Sequence, residues 1–267
     1  MTTPRTTDSG LHAIDHSPVP GLVLYERRVA EPEATLIAVH GGLDRGGSFA
    51  RLARRSSLFD VVTYDRRGYQ ASRDLQPINL AAHRDDLLAL ASAYRARGPV
   101  ILLGHSYGGV VALAAKIAAP DVADALVCFE TPLPWIYRRP GFTNDLGSDP
   151  AVEAEKFFQR MVSPTAWARL SDAEQDSRRR DGPALLDDLR TLRAPAPFTL
   201  STLDSAWVYS HGDGERAAYY DELTSHLRRE FPQVTVRVVP GASHGAHLSS
   251  PDQLMTVVRD AWRSTCE

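Results

Sequence analysis

The sequence predicts an α/β fold in which a mostly parallel central sheet is flanked by helices, with a small helical insertion after the sixth strand. Three observations support this prediction. Short apolar runs rich in β-branched residues alternate with longer segments of helical periodicity, as in βαβ units. One of these runs passes through a glycine-flanked turn directly into an alanine-rich segment. Strand patterning then disappears between about residues 132 and 202 and returns afterwards.

The composition fits one large globular domain and excludes several classes of function. The chain has 267 residues, of which 43% are hydrophobic, so it can bury a large core. Its net charge of −3 gives no reason to expect binding to nucleic acid or to an anionic membrane. No segment has the apolar run of a signal peptide or the roughly 20 apolar residues of a membrane span.

Cysteine usage bears on the cellular compartment. Cys128 falls in a predicted buried strand, whereas Cys266 is the penultimate residue of the chain. A disulfide between them is not expected, and two cysteines in a chain of this length fit a reducing environment. The sequence therefore predicts a cytoplasmic protein.

The central element of the prediction is a strand, a sharp turn and a helix. Residues 100–103 have the composition of a buried parallel strand, and residues 110–119 are the small apolar residues of a helix packed closely on a sheet. Between them lies the pattern Gly104-x-Ser106-x-Gly108. Such a turn holds its serine in a strained conformation with the hydroxyl exposed, and the glycines allow strand and helix to approach. Ser106 is therefore predicted to be a nucleophile.

The remaining elements follow the same alternation. Residues 1 to about 18 are either an irregular leader or a first edge strand. Further strands are predicted at 21–29, 35–40, 58–64, 124–129, 206–210 and 234–239, and helices at 48–55, 79–94, 217–230 and 252–262.

Three further segments, together with the serine turn, resemble the α/β-hydrolase superfamily. They are His40-Gly41-Gly42, Asp65-Arg66-Arg67-Gly68-Tyr69 and Gly241-Ala242-Ser243-His244. The resemblance covers roughly residues 20 to 265 and is specific for the superfamily rather than for a substrate. It implies an α/β-hydrolase core at residues 1–131 and 203–267, with residues 132–202 as a helical cap over the active site.

The resemblance also implies roles for two loops. The oxyanion hole would consist of the backbone N–H groups of Gly42 and Tyr107, with Leu43 as the alternative to Gly42. In the second loop, Asp65 and Arg67 are expected to form an internal ion pair that braces the loops beneath the nucleophile.

A serine nucleophile needs a base, and a histidine is suited to this role near neutral pH. His244 lies in the loop after the last strand, where the family carries its base. His247 is the alternative, three residues later in the chain.

The acidic member of the triad is left open among three carboxylates. Glu130 ends the sixth strand, where haloalkane dehalogenases place a catalytic glutamate, and a carboxylate directly after four apolar residues should be buried and need a partner. That partner would be His244 or, if Glu130 has only a structural role, an arginine such as Arg138. Glu215 matches the G-x-x-D spacing used by most members of the superfamily, and Asp213 lies nearer the strand. Glu130 is preferred, with Glu215 as the main alternative.

The cap should supply the apolar wall of the substrate pocket, and Trp135, Phe158 and Trp167 are the candidate lining residues. No metal site and no cofactor are expected, because the histidines are scattered and the two cysteines lie far apart in the sequence.

Together these features predict a cofactor-free serine hydrolase that cleaves a small-to-medium, largely uncharged ester or lactone through an acyl-enzyme on Ser106. A serine at this position argues against the epoxide hydrolases and dehalogenases of the superfamily, which use aspartate. The fold and triad also allow C–C bond hydrolysis, perhydrolysis, acyl transfer or a ligand sensor. The expected partner is a small-molecule substrate, with no nucleic acid and no membrane.

Overall fold

A computed structural model describes residues 7–203 and 205–265 of the chain. Within these residues, eight strands form one sheet in the order β1-β2-β4-β3-β5-β6-β7-β8. β2 runs antiparallel to its neighbours β1 and β4, and all other neighbouring strands are parallel. The strands are β1 (His12–Ile14), β2 (Leu24–Arg27), β3 (Ala34–Val39), β4 (Phe59–Tyr64), β5 (Val100–His105), β6 (Ala125–Phe129), β7 (Trp207–Gly212) and β8 (Val234–Val239).

Helices cover both faces of the sheet. They are α1 (Ala50–Arg54), α2 (Leu80–Arg95), α3 (Tyr107–Ala118), α4 (Pro150–Met161), α5 (Pro164–Ala168), α6 (Asp172–Arg180), α7 (Gly182–Thr191), α8 (Ala217–Glu230), α9 (Ala246–Ser249) and α10 (Pro251–Arg263). Short 3-10 turns lie at Gly46–Phe49, Gln70–Ser72, Pro120–Val122 and Leu200–Thr202.

The core consists of two layers separated by the sheet. Alternate residues of β3 point to opposite faces, as the period of two in a strand requires. Ile37 packs with residues of α2, α3 and α8, whereas Leu36 packs with residues of α1 and α10. Because both faces are covered, the central strands are apolar without alternation, which is how they stand out in the sequence.

The region between β6 and β7 contains α4 to α7. These helices have a small apolar cluster of their own, in which Ala154, Leu185 and Leu189 pack against Leu43 of the loop after β3. A buried ion pair between Arg66 and Asp188, 2.7 Å long, joins α7 to the loop after β4. The helices therefore contact the core through the loops that leave the carboxyl edge of the sheet.

The expected ion pair between Asp65 and Arg67 is wrong. Asp65 accepts hydrogen bonds from the backbone N–H of Gly46 at 2.8 Å and from the Tyr25 hydroxyl at 3.1 Å. Arg67 instead makes a bidentate pair with Asp86 of α2, with both bonds 2.6 Å long. Asp65 is satisfied by groups from β2 and from the turn at Gly46, so the guanidinium of Arg67 is free to bind the helix.

The sequence predicts neither a disulfide between the two cysteines nor a membrane span. Cys128 is buried and unpaired, whereas Cys266 lies outside the described residues. No helix within the described part of the chain is both long enough and apolar enough to span a bilayer.

Candidate active site

Ser106 occupies the sharp turn between β5 and α3. Its backbone has φ 53° and ψ −127°, a region that costs a non-glycine residue free energy. The turn is tight because the flanking chain segments almost touch. A Cβ added to Gly104 would lie 2.3 Å from the Cα of Gly109, and one added to Gly108 would lie 2.1 Å from the carbonyl oxygen of Val39. The predicted need for glycine on both sides of Ser106 is therefore confirmed.

His244 lies in the loop after β8 and is hydrogen-bonded to Glu130. Its Nδ1 is 2.6 Å from Oε2 of Glu130. The other carboxylate oxygen, Oε1, accepts the backbone N–H of Gly212 at 3.1 Å. An ionised carboxylate can only accept, so Nδ1 carries the proton and Nε2 is left free to take one.

The two partners of this hydrogen bond differ in burial. The side chain of Glu130 is 3% exposed and that of His244 is 18% exposed. Glu130, the residue after β6, also has a positive φ of 45°. The carboxylate is therefore enclosed while the imidazole faces open space.

The other two candidate carboxylates lie elsewhere in the same region. Asp213 accepts the backbone N–H of Gly241 at 2.7 Å and thereby caps a turn. Glu215 is exposed. Of the three, Glu130 is the one hydrogen-bonded to His244, and the alternative partner Arg138 instead lies over the ring of Phe142.

Ser106, Glu130 and His244 line one cavity of about 750 Å³. Gly42 and Leu43 of the loop after β3 line it, as do Phe157, Phe158 and Met161 of α4, a helix that packs against that loop. The cavity has the size and mixed wall of a small-molecule site.

One of the three predicted pocket residues reaches this cavity. Phe158 lines it, but Trp135 and Trp167 do not. The indole N–H of Trp135 donates to the carbonyl of Ala194 at 2.8 Å, away from the cavity. Trp167 is buried behind Phe158, with a ring separation of 5.4 Å. The helical region therefore uses its tryptophans for packing.

Comparisons with known proteins identify the family of this chain. A model of the family described as "Alpha/beta hydrolase family" matches residues 36–257. The chain belongs to the alpha/beta hydrolase family. Among curated relatives of this hydrolase, the "Pimeloyl-(acyl-carrier protein) methyl ester esterase" of Serratia marcescens is 26% identical, over 88% of this chain and 96% of the relative. "Lipase LipV" of Mycobacterium tuberculosis is 32% identical, over 36% of this chain and 37% of its own length.

Solved structures resemble the hydrolase across nearly its whole length. E-2-(acetamidomethylene)succinate hydrolase has a TM-score of 0.64 at 20% identity, covering 94% of this chain and 100% of the other. A thermophilic esterase from Thermogutta terrifontis has a TM-score of 0.66 at 19% identity, covering 96% and 98% of the two chains. These likenesses support the fold.

The wall of the hydrolase cavity also carries positive charge that the sequence analysis did not assign. Arg160, Arg178 and Arg216 line it, and none of the three has a carboxylate within ion-pair distance among the described residues. Burial lowers the pKa of Arg178, which donates to the Leu43 carbonyl at 2.5 Å and lies over the ring of Phe158. These arginines belong to no motif, so nothing in the sequence distinguishes them from the many other arginines of the chain.

The expectation that the histidines are scattered is wrong for two of them. His105, from the serine turn, and His247, from α9, meet beside Asp44 in the cavity wall. His105 packs beside His244, and its Nε2 donates to the backbone carbonyl of His244 at 2.7 Å. The fold thus forms a second cluster of titratable side chains next to Ser106 and His244.

Proposed function

We propose that this chain is a serine hydrolase that cleaves carboxylic esters through an acyl-enzyme on Ser106. One observation above all supports the proposal. The Glu130–His244 hydrogen bond of 2.6 Å borders the same cavity as a serine held at positive φ at the start of a helix. A nucleophile, a base and an acid that orients the base are the parts that acyl transfer requires.

In the proposed reaction, the hydroxyl of Ser106 attacks the ester carbonyl and gives its proton to Nε2 of His244. Glu130 holds His244 in the tautomer with a proton on Nδ1 and offsets the positive charge of the imidazolium. His244 then protonates the departing alcohol as the C–O bond breaks. A water molecule, deprotonated by His244, then attacks the acyl carbon, the bond from that carbon to Oγ of Ser106 breaks, and His244 returns the proton to Oγ as the acid leaves.

The negative charge on the carbonyl oxygen needs donors that are in place before the reaction. We assign this role to the backbone N–H groups of Tyr107 and Gly42, with Leu43 as the alternative to Gly42. Tyr107 is the first residue of α3, so its N–H has no partner within the helix and lies at the positive end of the helix dipole. Gly42 borders the cavity beside Ser106.

The proposed substrate is a small-to-medium ester or lactone. The cavity of about 750 Å³ lies within the range of small-molecule sites, and Phe157, Phe158 and Met161 offer an apolar surface for an acyl chain. Residues 132–202 would act as the cap that encloses the acyl chain of the substrate. The Serratia marcescens relative is named for cleaving a methyl ester, which is the same reaction class.

We place the reaction in the cytoplasm, with a small molecule as the partner. The unpaired, buried Cys128 is compatible with a reducing compartment.

A fluorophosphonate probe tests the nucleophile. Wild-type protein should be labelled on Ser106, as located by peptide mass spectrometry, and should hydrolyse p-nitrophenyl acetate or octanoate. Ser106→Ala should lose both properties, and His244→Gln should lose nearly all labelling and turnover. Ser225→Ala, an exposed serine of α8, is the matched control and should behave as wild type.

If folded wild-type protein neither reacts with the probe nor cleaves either ester, the proposal fails. The ligand-sensor alternative would then be pursued with the same cavity as the ligand site.

A further inference from the structure

We propose that Asp44, His105 and His247 form a binding site for one divalent transition-metal ion of the zinc class, in the wall of the cavity beside His244. This inference goes beyond the proposed ester hydrolysis and does not depend on it. The set consists of one carboxylate and two imidazoles that come from three separate parts of the chain.

The three side chains converge because three loops meet at the carboxyl edge of the sheet. Asp44 lies in the loop after β3, His105 is the last residue of β5, and His247 lies in α9. Their potential ligand atoms all lie within 4.8 Å of one another. Oδ2 of Asp44 is 3.4 Å from Nε2 of His247 and 4.0 Å from Nδ1 of His105.

Three of the four histidine ring nitrogens in this cluster are buried without a well-aligned hydrogen bond. Nδ1 of His105 and Nδ1 of His247 have no hydrogen-bond partner among the described residues, and Nε2 of His247 has only the Asp44 carboxylate beside it, at 3.4 Å. The two histidines are only 5% and 2% exposed. A buried polar atom without a partner is unfavourable, so a cation coordinated here would satisfy nitrogens that the protein's own groups leave unpaired.

The second nitrogen of His105 supports the same interpretation. Nε2 donates to the backbone carbonyl of His244 at 2.7 Å, so the proton is on Nε2 and the lone pair is on Nδ1, facing Asp44. A metal-binding histidine commonly donates its other N–H to a backbone carbonyl in this way, which fixes both the tautomer and the ring.

The donor set determines the class of ion. Two imidazoles and one carboxylate suit zinc and related divalent ions, whereas magnesium and calcium prefer oxygen ligands alone. Tetrahedral zinc with bonds of about 2.0–2.1 Å places neighbouring ligand atoms about 3.3 Å apart. The Asp44–His247 separation already matches, and Asp44, whose side chain is 21% exposed, can rotate toward His105.

The position of the cluster allows an ion to enter and keeps part of its coordination sphere open. All three residues line the cavity of about 750 Å³, so an ion can arrive from solvent. Three protein ligands leave a fourth position for water or a ligand in that cavity. The bound ion would also join the loops that carry Gly42, Ser106 and His244, and should therefore raise the melting temperature of the protein.

Titration calorimetry on chelator-treated, tag-free protein tests the site with zinc alone. Wild type should bind one equivalent, and Asp44→Asn and His247→Gln should each weaken binding at least about tenfold. His16→Gln, which alters an exposed histidine in the N-terminal region, is the matched control and should bind as wild type. With cobalt in place of zinc, wild type should give the visible absorption of a low-coordinate site, and Asp44→Asn should not.

The proposal is overturned if folded wild-type protein binds no zinc at a large excess. It is also overturned if Asp44→Asn and His247→Gln, shown to be folded by circular dichroism, bind zinc as tightly as wild type. Neither readout depends on ester cleavage, so failure here leaves the proposed serine chemistry intact.

Discussion

Glu130 holds the imidazole of His244 in place, and its two carboxylate oxygens have different partners. Oε2 bonds Nδ1 of His244 and Oε1 accepts the backbone N–H of Gly212. Both bonds require an acceptor, so the ionised carboxylate satisfies the two donors at once. At this scale the hydrogen bond to His244 supports Glu130 as the acid of the proposed triad.

Replacing Glu130 by glutamine should therefore impair turnover far more than it impairs binding. An amide leaves one oxygen for two donors, so His244 loses the partner that fixes its tautomer. We expect Glu130→Gln to lower kcat by a factor on the order of 10³–10⁴, with a smaller change in KM. The matched variant Glu215→Gln should stay within about tenfold of wild type, as measured by steady-state hydrolysis of p-nitrophenyl esters. A larger loss for Glu215→Gln than for Glu130→Gln would contradict this assignment.

The sequence predicted the residues of the site that belong to a local pattern. Ser106 stands in a five-residue motif, and Glu130 follows an apolar run that predicts burial. The cluster of Asp44 with His247 could not be predicted in the same way, because some 200 residues separate them and no spacing rule connects them. The partners of Asp65 and Arg67 were mistaken for the same reason, since the charges that satisfy Arg66 and Arg67 come from α7 and α2.

At the scale of elements, the close approach of α3 to the segment after β6 depends on the absence of a side chain at one position of the helix. Gly109 lies in the first turn of α3, and a Cβ added there would be 1.7 Å from Oγ1 of Thr131 and 2.8 Å from its Cβ. Thr131 is fully buried and β-branched, so it has little freedom to move away.

Gly109→Ala should therefore destabilise the protein although alanine is the better helix former. We expect a loss of about 1–3 kcal/mol or more in the free energy of unfolding, measured by urea denaturation, because the overpacked turn must shift. Gly47→Ala is the control, since a Cβ at Gly47 meets nothing within 4 Å and its φ is not positive. It should change stability by less than about 1 kcal/mol. Equal effects of the two substitutions would contradict the steric argument.

The Arg66–Asp188 pair couples the helices after β6 to the core. Asp188 accepts from Nη2 of Arg66 at 2.7 Å and from the Tyr69 hydroxyl at 2.6 Å, and both charged side chains are buried. Asp188→Ala would leave a buried guanidinium unpaired, and we expect a loss of about 3–5 kcal/mol in urea denaturation.

The exposed pair between Arg55 and Asp252, 3.2 Å apart, provides the comparison. Asp252→Ala should cost less than about 1 kcal/mol, because water already screens that pair. If Asp188→Ala proved as mild as Asp252→Ala, α7 would not be fastened to the core by this ion pair.

The elements themselves could largely be predicted from the sequence, because their signals are short-ranged. The predicted strand at 35–40 is β3 (Ala34–Val39), and the predicted helix at 79–94 is α2 (Leu80–Arg95), with Asn79 accepting the N–H of Ala82 as its N-cap. The sequence does not distinguish β1 from an irregular leader, because its three residues, His12–Ile14, are mostly exposed and lack an apolar face. The order of the strands in the sheet depends on pairing between distant segments, which no local pattern reveals.

At the scale of the whole molecule, buried neutral histidines connect stability to pH. Burial first, and then the charge of Arg66, lower the pKa of His40 to about 3 and that of His83 well below its ordinary value of 6.5. In the unfolded chain both groups titrate near 6.5. Below that pH the unfolded state binds more protons at these two sites, so their contribution to stability is lost as the pH falls from about 6.5 toward about 3.

A comparison of wild type with a His83 variant separates the contribution of His83 from that of the other titrating groups. Asp187, whose pKa burial raises to about 6, acts in the opposite direction in the same range. In His83→Gln the glutamine oxygen can still accept from Arg66, which lies 3.1 Å from Nε2 of His83, but the titrating group is gone. Between about pH 7 and about pH 5, wild type should lose up to about 1.4 kcal/mol per pH unit relative to His83→Gln in urea denaturation. The free energy of unfolding of His16→Gln should change with pH as that of wild type does. If His83→Gln also shows the pH dependence of wild type, the prediction is contradicted.

The central claim is that the fold brings a nucleophile, a base and an acid together so that an acyl group passes through Ser106. The most direct measurement is mass spectrometry of protein quenched with acid during turnover of p-nitrophenyl octanoate. We expect wild type to gain the mass of one octanoyl group on the peptide that contains Ser106, and Ser106→Ala to gain none. Turnover by wild type without an acyl group on Ser106, or undiminished turnover by Ser106→Ala, would contradict the account.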